Sequence, residues 1–430
     1  MSEVTAKRAT GHHGSGASVP AAKKRNILLV GHAAGDTLFG AERSFLDLLA
    51  AIDPQQYDVS CVLPEQNDAY LSSAARYTKN ITVFPYRWWT STRPFDEHTV
   101  SQFENVIRSH RPDVVHVNTI TLSDPLIAAR RLHVPTIVHA RELIDKDPAL
   151  AQHFGCEASA IVSSVRAAAD FIIANSDATY RLYYKRDRSF RLYNCVDVAR
   201  FALTNNPEPG KLKVGIISSN IPSKGIEHFV KLAILAGQRR PHLEFLVIGP
   251  RTEHAVELER VAGAQESPVN LRFTGYISDP VEALRQVNVL ASLSIFAESF
   301  GRTLMEAMAA SRPVIAYAWG ATPELIRDGK EGFLIPYLEF PKALDCLEML
   351  SDRPELVSQM GRSGRERALS LFAPDVFAAN LNRIYRRVLA TCDKEYPEQS
   401  QPPLAGRTNE GAESGDTHTA NAIPPGGGMD

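Results

Sequence analysis

The chain has 430 residues, of which 44% are hydrophobic and 22% charged, with a formal net charge of -2. This length exceeds what one hydrophobic core serves, so two domains are expected, and the near-neutral balance gives no support to general nucleic-acid binding. Five widely separated cysteines (Cys61, Cys156, Cys195, Cys346 and Cys392) lack metal-ligand spacing and fit no disulfide scaffold, which implies reduced thiols.

Residues 1–25 are rich in Gly, Ala, Ser and Lys, and residues 393–430 in Pro, Gly, Glu, Thr and Asn. Both stretches have little to bury and are expected to be disordered tails. The N-terminus has no apolar stretch of the kind that marks a secretory signal. No apolar run reaches the roughly 18 residues of a spanning helix. A cytoplasmic address is expected, with peripheral contact at the inner face of a membrane left open.

Between the tails, β-branched runs alternate with helical periodicity. The runs of the first half are NILLV (26–30), DVSCVL (58–63), ITVFPY (81–86), DVVHVN (113–118), TIVHA (136–140) and FIIAN (171–175). Stretches such as GAERSFLDLLAAI (40–52) separate them. Such alternation predicts parallel strands joined by crossover helices. The segment VARFALTNNPEPGK (198–211) carries the Asn, Pro and Gly of a linker. The pattern resumes with KVGIIS (213–218), EFLVIG (244–249), LRFTGY (271–276), VLASLS (289–294) and PVIAYA (313–318). The expected fold is α/β: two doubly wound domains, 26–204 and 205–373. A terminal amphipathic helix, 374–392, is expected to pack back on the first domain.

Open α/β sheets bind ligands beyond the C-terminal ends of their strands, and two facing sheets make a cleft. The strongest chemical signal is ESFGRTLMEAMAASRPVIAYAWGATPE (298–324). Gly301 is expected to open a helix whose free N–H groups hold a phosphate. Glu298 precedes that start and Glu306 lies in its second turn. Each carboxylate can accept two hydroxyl donors, which suits a sugar on one side and a ribose on the other.

In these residues the sequence resembles family 4 of the retaining glycosyltransferases, which have the GT-B fold of two Rossmann-like domains facing across a cleft. The resemblance runs from about residue 26 to 390 and is densest over 270–335. It implies transfer of a sugar from a nucleoside-diphosphate sugar to a saccharide or lipid-linked saccharide, in polysaccharide or glycoconjugate synthesis. It also implies that Glu298 contacts donor-sugar hydroxyls and Glu306 the ribose. Amides of Ser299, Phe300 and Gly301 would approach the diphosphate and sugar.

Further segments match that family. VGIISSNIPSKGIEHFVKLA (214–233) places Lys224 between a strand and a helix, where a cation neutralises a diphosphate leaving group. The family's usual Arg five residues earlier is Ser219 here. Arg302 is expected to compensate from the first turn of the Glu306 helix. FTGYISD (273–279) resembles the segment whose backbone holds the nucleobase, near Ile277. GDTLFGAERSFLDLL (35–49) puts Gly40 at a helix start that approaches the donor phosphate or the acceptor, with Phe39 where the family has a first Gly. It lacks the spacing of a dinucleotide fingerprint. HARELID (139–145) matches His139 to a family histidine lining the cleft near the transferred sugar. Arg141, Glu142, Asn118 and Thr119 are weaker acceptor-side candidates.

Other features carry less. Asp145 and Asp147 form an Asp-x-Asp in the acceptor domain, and no metal or other cofactor is expected. Trp88 and Trp89 fit either an acceptor sugar or the core. Lys185, Arg186, Arg188 and Arg191 form a basic cluster, either a solvated face or a contact for anionic lipid. A catalytically silent nucleotide-sugar binding protein on the same fold is the alternative reading, and Ser219 is what favours it.

Overall fold

Thirteen strands form two wholly parallel sheets in the structure, a computed structural model that describes residues 23–32, 40–205, 207–208, 211–264 and 270–395. The strands of the first sheet are β1 (Arg25–Val30), β2 (Tyr57–Leu63), β3 (Asn80–Val83), β4 (Val114–Val117), β5 (Thr136–Ala140), β6 (Phe171–Ala174) and β7 (Ser189–Arg191). The second has β8 (Lys213–Ile217), β9 (Glu244–Ile248), β10 (Leu271–Gly275), β11 (Val289–Ser292), β12 (Val314–Tyr317) and β13 (Gly332–Ile335). The spatial orders are β3-β2-β1-β4-β5-β6-β7 and β10-β9-β8-β11-β12-β13. Each order reverses beside its first strand, which is the doubly wound pattern expected from the alternating sequence.

Strands covered on both faces read as continuous apolar runs, and β4, β5 and β6 are buried at every residue. Two runs escaped sequence reading. β7 has three residues at a sheet edge, and β13 opens with Gly332 after a turn. At Gly332 a side chain would collide with the Val314 carbonyl oxygen, so glycine is what lets β13 lie against β12.

The chain changes cores earlier than its linker composition suggests. Cys195 packs with the first domain, whereas Val196, Val198 and Phe201 belong to a core cluster of the second. Val196 N–H donates to the Phe372 carbonyl at 2.9 Å, fixing that crossing. The terminal helix runs over Pro374–Glu395. Its buried face includes Phe377, Leu381, Ile384, Tyr385 and Val388, at helical spacing, and these join the core of the first domain. Each fully buried side chain of this size contributes about 1.5–3 kcal/mol. Within the expected tails, Arg25 opens β1 and residues 393–395 extend this helix. Residues 1–22 and 396–430 of the tails, and residues 35–39 of the first glycine loop, lie outside the described residues.

The domains meet through the C-terminal ends of their strands. Asp47, on the helix after β1, bonds Arg302, which follows β11. Asn175, just after β6, bonds Ser299. Glu324, just beyond β12, accepts from the backbone N–H groups of Asp177 and Ala178.

Candidate active site

A cavity of about 530 Å³ opens where these strand ends converge. Gly40 of the first domain lines it, together with Ser219, Lys224, Glu298, Gly301 and Arg302 of the second. Six of the sequence candidates, separated by up to 262 positions between Gly40 and Arg302, are thereby brought to one hollow.

Local folding explains each placement. β8 ends at Ile217, and the turn after it is tightly pinned. Ser218 Oγ donates to Asn220 Oδ1 at 2.9 Å, and Asn220 Nδ2 donates to the Pro250 carbonyl at 3.1 Å. Asn220 has φ +55°, in the left-handed region that Asn tolerates. Ser219 is thus held at the crest of the turn, partly exposed. A 3-10 turn, Pro222–Lys224, follows and ends at Gly225 with φ +71°. A side chain at Gly225 would overlap the Leu293 carbonyl oxygen, so the turn is pressed against the exit of β11. Ile295 N–H and Phe296 N–H both donate to the Ser223 carbonyl, at 3.0 and 3.2 Å. This stitching fixes Lys224 beside the loop that carries Glu298.

Lys224 Nζ lies 2.5 Å from Glu298 Oε1 and 5.7 Å from the centre of the Phe296 ring. Glu298 is held by its backbone: its carbonyl accepts from Ala321 N–H at 2.9 Å, and Gly320, φ +61°, leaves room for it. Gly301, φ +85°, precedes the Arg302–Ala309 helix. Among the described residues no side chain caps that helix start. Its free N–H groups therefore point a partial positive charge toward the cavity lip at Gly301 and Arg302, a setting that favours an anion.

Arg302 is less free than its role as a substitute phosphate cation requires. Its Nη1 bonds Asp47 Oδ2 at 2.9 Å, and its Nε bonds Glu306 Oε1 at 3.3 Å. Burial opposes its charge, but Asp47 and Glu306 raise its pKa above the ordinary value. Glu306 is buried and does not line the cavity itself. Arg43 Nη1 of the first domain lies 3.8 Å from it. Burial raises the Glu306 pKa, against the pull of Arg302 and Arg43.

The other candidates fall outside this cavity. Phe300 is a core side chain that meets the Tyr193 ring at a tilt and the Phe372 ring edge-on, which leaves only its backbone for a ligand. Ser299 Oγ accepts from Asn175 Nδ2 at 3.2 Å. Ile277 packs against the second core. His139 differs from the expectation of a cleft-lining group: its side chain is wholly shielded. It stacks on His116 with ring centres 5.5 Å apart, and its Nδ1 is 3.3 Å from Arg141 Nη2. Burial, Arg141 and His116 hold its pKa well below the usual range, so the ring is neutral. Among the described residues the Arg141 guanidinium bonds neutral side chains, Asn118 at 2.9 Å, Asn194 at 2.7 Å and His139, while its backbone N–H donates to the Glu142 carboxylate at 2.9 Å, and burial lowers its pKa to about 10. Glu142 accepts from Thr119 Oγ1 at 2.6 Å, and burial raises its pKa. Asn118, Thr119, His139, Arg141 and Glu142 therefore form one polar cluster at the ends of β4 and β5, with Asn118, Thr119 and His139 buried and Arg141 and Glu142 half-buried.

Asp147 caps the Pro148–Phe154 helix by accepting from Leu150 N–H at 2.9 Å, and among the described residues no group of three His, Cys, Asp or Glu side chains could hold a metal. Trp89 packs against the first core and donates Nε1–H to the Ile120 carbonyl, whereas Trp88 is exposed. No helix among the described residues is long and apolar enough to cross a membrane. Sequence reading missed Asp47, which bonds Arg302, and Ser294 and Thr303, which line the cavity. Asp47 follows Gly40 on an ordinary helix face, and only the closed arrangement of domains reveals its partner.

Comparison with known proteins agrees with the two-domain fold. Residues 40–200 match the model of the Glycosyltransferase Family 4 group, and residues 202–367 that of Glycosyl transferases group 1. A putative glycosyltransferase, EpsD of Bacillus subtilis, is 31% identical over 149 residues, covering 34% of this chain and 38% of that protein. The phosphatidyl-myo-inositol mannosyltransferase of Mycobacterium tuberculosis is 29% identical over 205 residues, covering 45% of this chain and 53% of the relative. The chain thus spans about half the length, or less, of these curated relatives. Among solved structures, HepE of Anabaena in complex with UDP-glucose aligns with TM-score 0.67 at 18% identity, over 84% of this chain and 99% of that one. TarM aligns with TM-score 0.68 at 11% identity, over 85% and 100%. At such identities the structural likeness establishes the shared GT-B architecture.

Proposed function

The chain belongs to the family 4 glycosyltransferases of GT-B fold, and from that premise we propose that it moves a hexose from a nucleoside-diphosphate sugar with retention of anomeric configuration. The observation that carries this reading is the single cavity shared by Lys224, Glu298 and the open helix start at Gly301. A cation and a helix N-terminus suit a diphosphate, and a carboxylate beside them suits sugar hydroxyls.

In the proposed reaction the bond between the anomeric carbon and the diphosphate oxygen breaks as a bond to the acceptor oxygen forms on the same face. The acceptor proton passes to the departing diphosphate oxygen. Negative charge grows on the diphosphate and positive charge on the sugar. Lys224 and the Gly301 helix start stabilise the first, and Glu298 orients the ring and offsets the second. Glu306 takes the ribose hydroxyls once donor entry separates it from Arg43. Main-chain groups near Ile277 receive the base, and the Gly40 helix start meets the donor from the other domain. The polar cluster of Asn118, His139, Arg141 and Glu142 shapes the acceptor side from beneath. The acceptor is a saccharide or lipid-linked saccharide, met in the cytoplasm or at the inner membrane face, and no metal takes part.

Ser219, in place of a second phosphate cation, favours one other reading, a binding protein that holds donor without turnover. Calorimetry with a panel of uridine and guanosine diphosphate sugars tests both, on wild type and Glu306→Ala. One donor bound tightly and weakened in the variant supports the site. Release of free nucleotide on adding acceptor separates enzyme from binding protein, and no binding by any donor overturns the reading.

A further inference from the structure

A second hollow, of about 490 Å³, lies away from the cavity just described, between the edge strand β7, the start of the Asp177–Leu182 helix and the terminal Pro374–Glu395 helix. Its walls carry three guanidinium groups, Arg191, Arg383 and Arg387, against one carboxylate, Asp177. None of these residues belongs to the donor site.

The three arginines are not equally satisfied. Arg191 bonds Asp177 at 3.2 Å and lies over the Tyr193 ring. Among the described residues the Arg383 guanidinium bonds only the neutral Asn380, at 2.8 Å. Arg387 stands over the Phe190 ring with its guanidinium carbon 5.4 Å from the ring centre. Among the described residues, neither Arg383 nor Arg387 has a carboxylate within ion-pair distance. They are four residues apart on one helix face, where like charges repel. A chain that needed only solubility would gain by pairing or spacing them. Instead, Phe190 and Asn380 hold both forks beside a concave space, and Arg191 is held there by Asp177. Planar guanidinium groups held this way match the oxygens of a phosphate, which accepts two parallel N–H bonds from each.

We propose that this hollow is a binding site for a phosphate-bearing anion. Arg383 and Arg387 supply the direct contacts and Arg191 the third cation. The same chemistry is offered by a free phosphate ester and by the headgroup of an anionic phospholipid, and the volume accommodates either.

The test compares wild type with R383Q/R387Q. Inorganic phosphate is titrated calorimetrically at fixed ionic strength with uridine diphosphate filling the donor cavity. In parallel, the protein is sedimented with vesicles of phosphatidylglycerol and of phosphatidylcholine. The expected result is saturable binding of one probe by wild type, weakened roughly tenfold or more in the variant. Loss confined to inorganic phosphate supports a soluble ligand, and loss confined to phosphatidylglycerol vesicles supports a headgroup. A second variant, R383K/R387K, keeps the charge but not the fork and is expected to fall between the two, which also controls for folding. Wild type and R383Q/R387Q that bind both probes equally, or not at all, overturn the proposal. Donor affinity measured on the same samples stays unchanged, so failure here is distinct from failure of the glycosyltransfer reading.

Discussion

Lys224 Nζ and Glu298 Oε1 lie 2.5 Å apart in the wall of the cavity proposed to take the donor, so the cation expected to meet the diphosphate is held by the carboxylate expected to meet the sugar. A nucleotide sugar must separate them and satisfy both at once: phosphate oxygens for the lysine, hydroxyls for the glutamate. A nucleoside diphosphate without sugar can replace only one side of that pair.

This competition gives an unusual prediction. Glu298→Gln removes the internal partner of Lys224 while keeping the side chain's volume. Uridine or guanosine diphosphate, whichever base the protein prefers, is expected to bind several-fold more tightly to the variant. Turnover is expected to fall by about a hundredfold or more, as lost transition-state stabilisation does. Calorimetry and an assay of nucleotide release read the two effects. Weaker nucleotide binding, or turnover within about twofold of wild type, removes Glu298 from this role.

Glu306 predicts a pH dependence. Burial raises its pKa, so the carboxyl takes up a proton at a higher pH than an exposed glutamate does. A protonated carboxyl loses accepting capacity for ribose hydroxyls. Donor affinity is therefore expected to fall as pH drops through this raised value, before ordinary carboxyls titrate. Glu306→Gln should weaken binding about tenfold to a hundredfold near neutral pH and flatten that acid limb. A variant that keeps the same limb assigns it to another group.

Asp124 tests the first domain independently of catalysis. It is buried at the start of the Asp124–Arg131 helix and accepts from Asp96 N–H at 2.9 Å. Burial pushes its pKa from 3.8 up to about 6. The folded state thus holds this proton more tightly than the unfolded state, and stability declines as pH rises across that window. Asp124→Asn keeps the acceptor and removes the ionisation cost, less the attraction of a carboxylate to a helix start. The variant is expected to be about 1–2 kcal/mol more stable at pH 8, with the advantage gone near pH 4. Thermal melts at both values decide it, and equal advantage at both would point to packing.

The sequence carried the strands well where the signal was local. Runs such as DVVHVN and FIIAN are long and β-branched, whereas SFR at Ser189–Arg191 is too short and GFLI begins with the glycine that close packing on β12 demands. Lys224, Glu298 and Gly301 were legible because each belongs to a strand-turn-helix segment with its own turn chemistry. Asp47 was not, because its meaning is its 2.9 Å bond to Arg302 in the other domain. The depth of His139 was equally hidden: a strand-end histidine reads the same whether it faces a cleft or stacks on His116 beneath it.

Domain closure rests on a further contact of this hidden kind. Glu324, in the second domain, accepts from Asp177 N–H at 2.6 Å and from Ala178 N–H at 3.2 Å, the free donors that begin a first-domain helix. One carboxylate therefore caps a helix across the domain boundary. Hydrogen bonds to a charged group contribute about 1.5–3 kcal/mol, and backbone donors left without a partner cost their desolvation. Glu324→Ala is expected to lower stability by about 1–3 kcal/mol and to let the domains open. Opening would separate Gly40 from Lys224 and Glu298, which line the cavity from opposite domains. The variant should then show a larger radius of gyration in solution scattering and weaker donor binding, with Glu324→Gln intermediate because it keeps one acceptor oxygen. A melting temperature and scattering profile that match wild type would mean that the Asp47–Arg302 and Asn175–Ser299 contacts hold the domains closed without it.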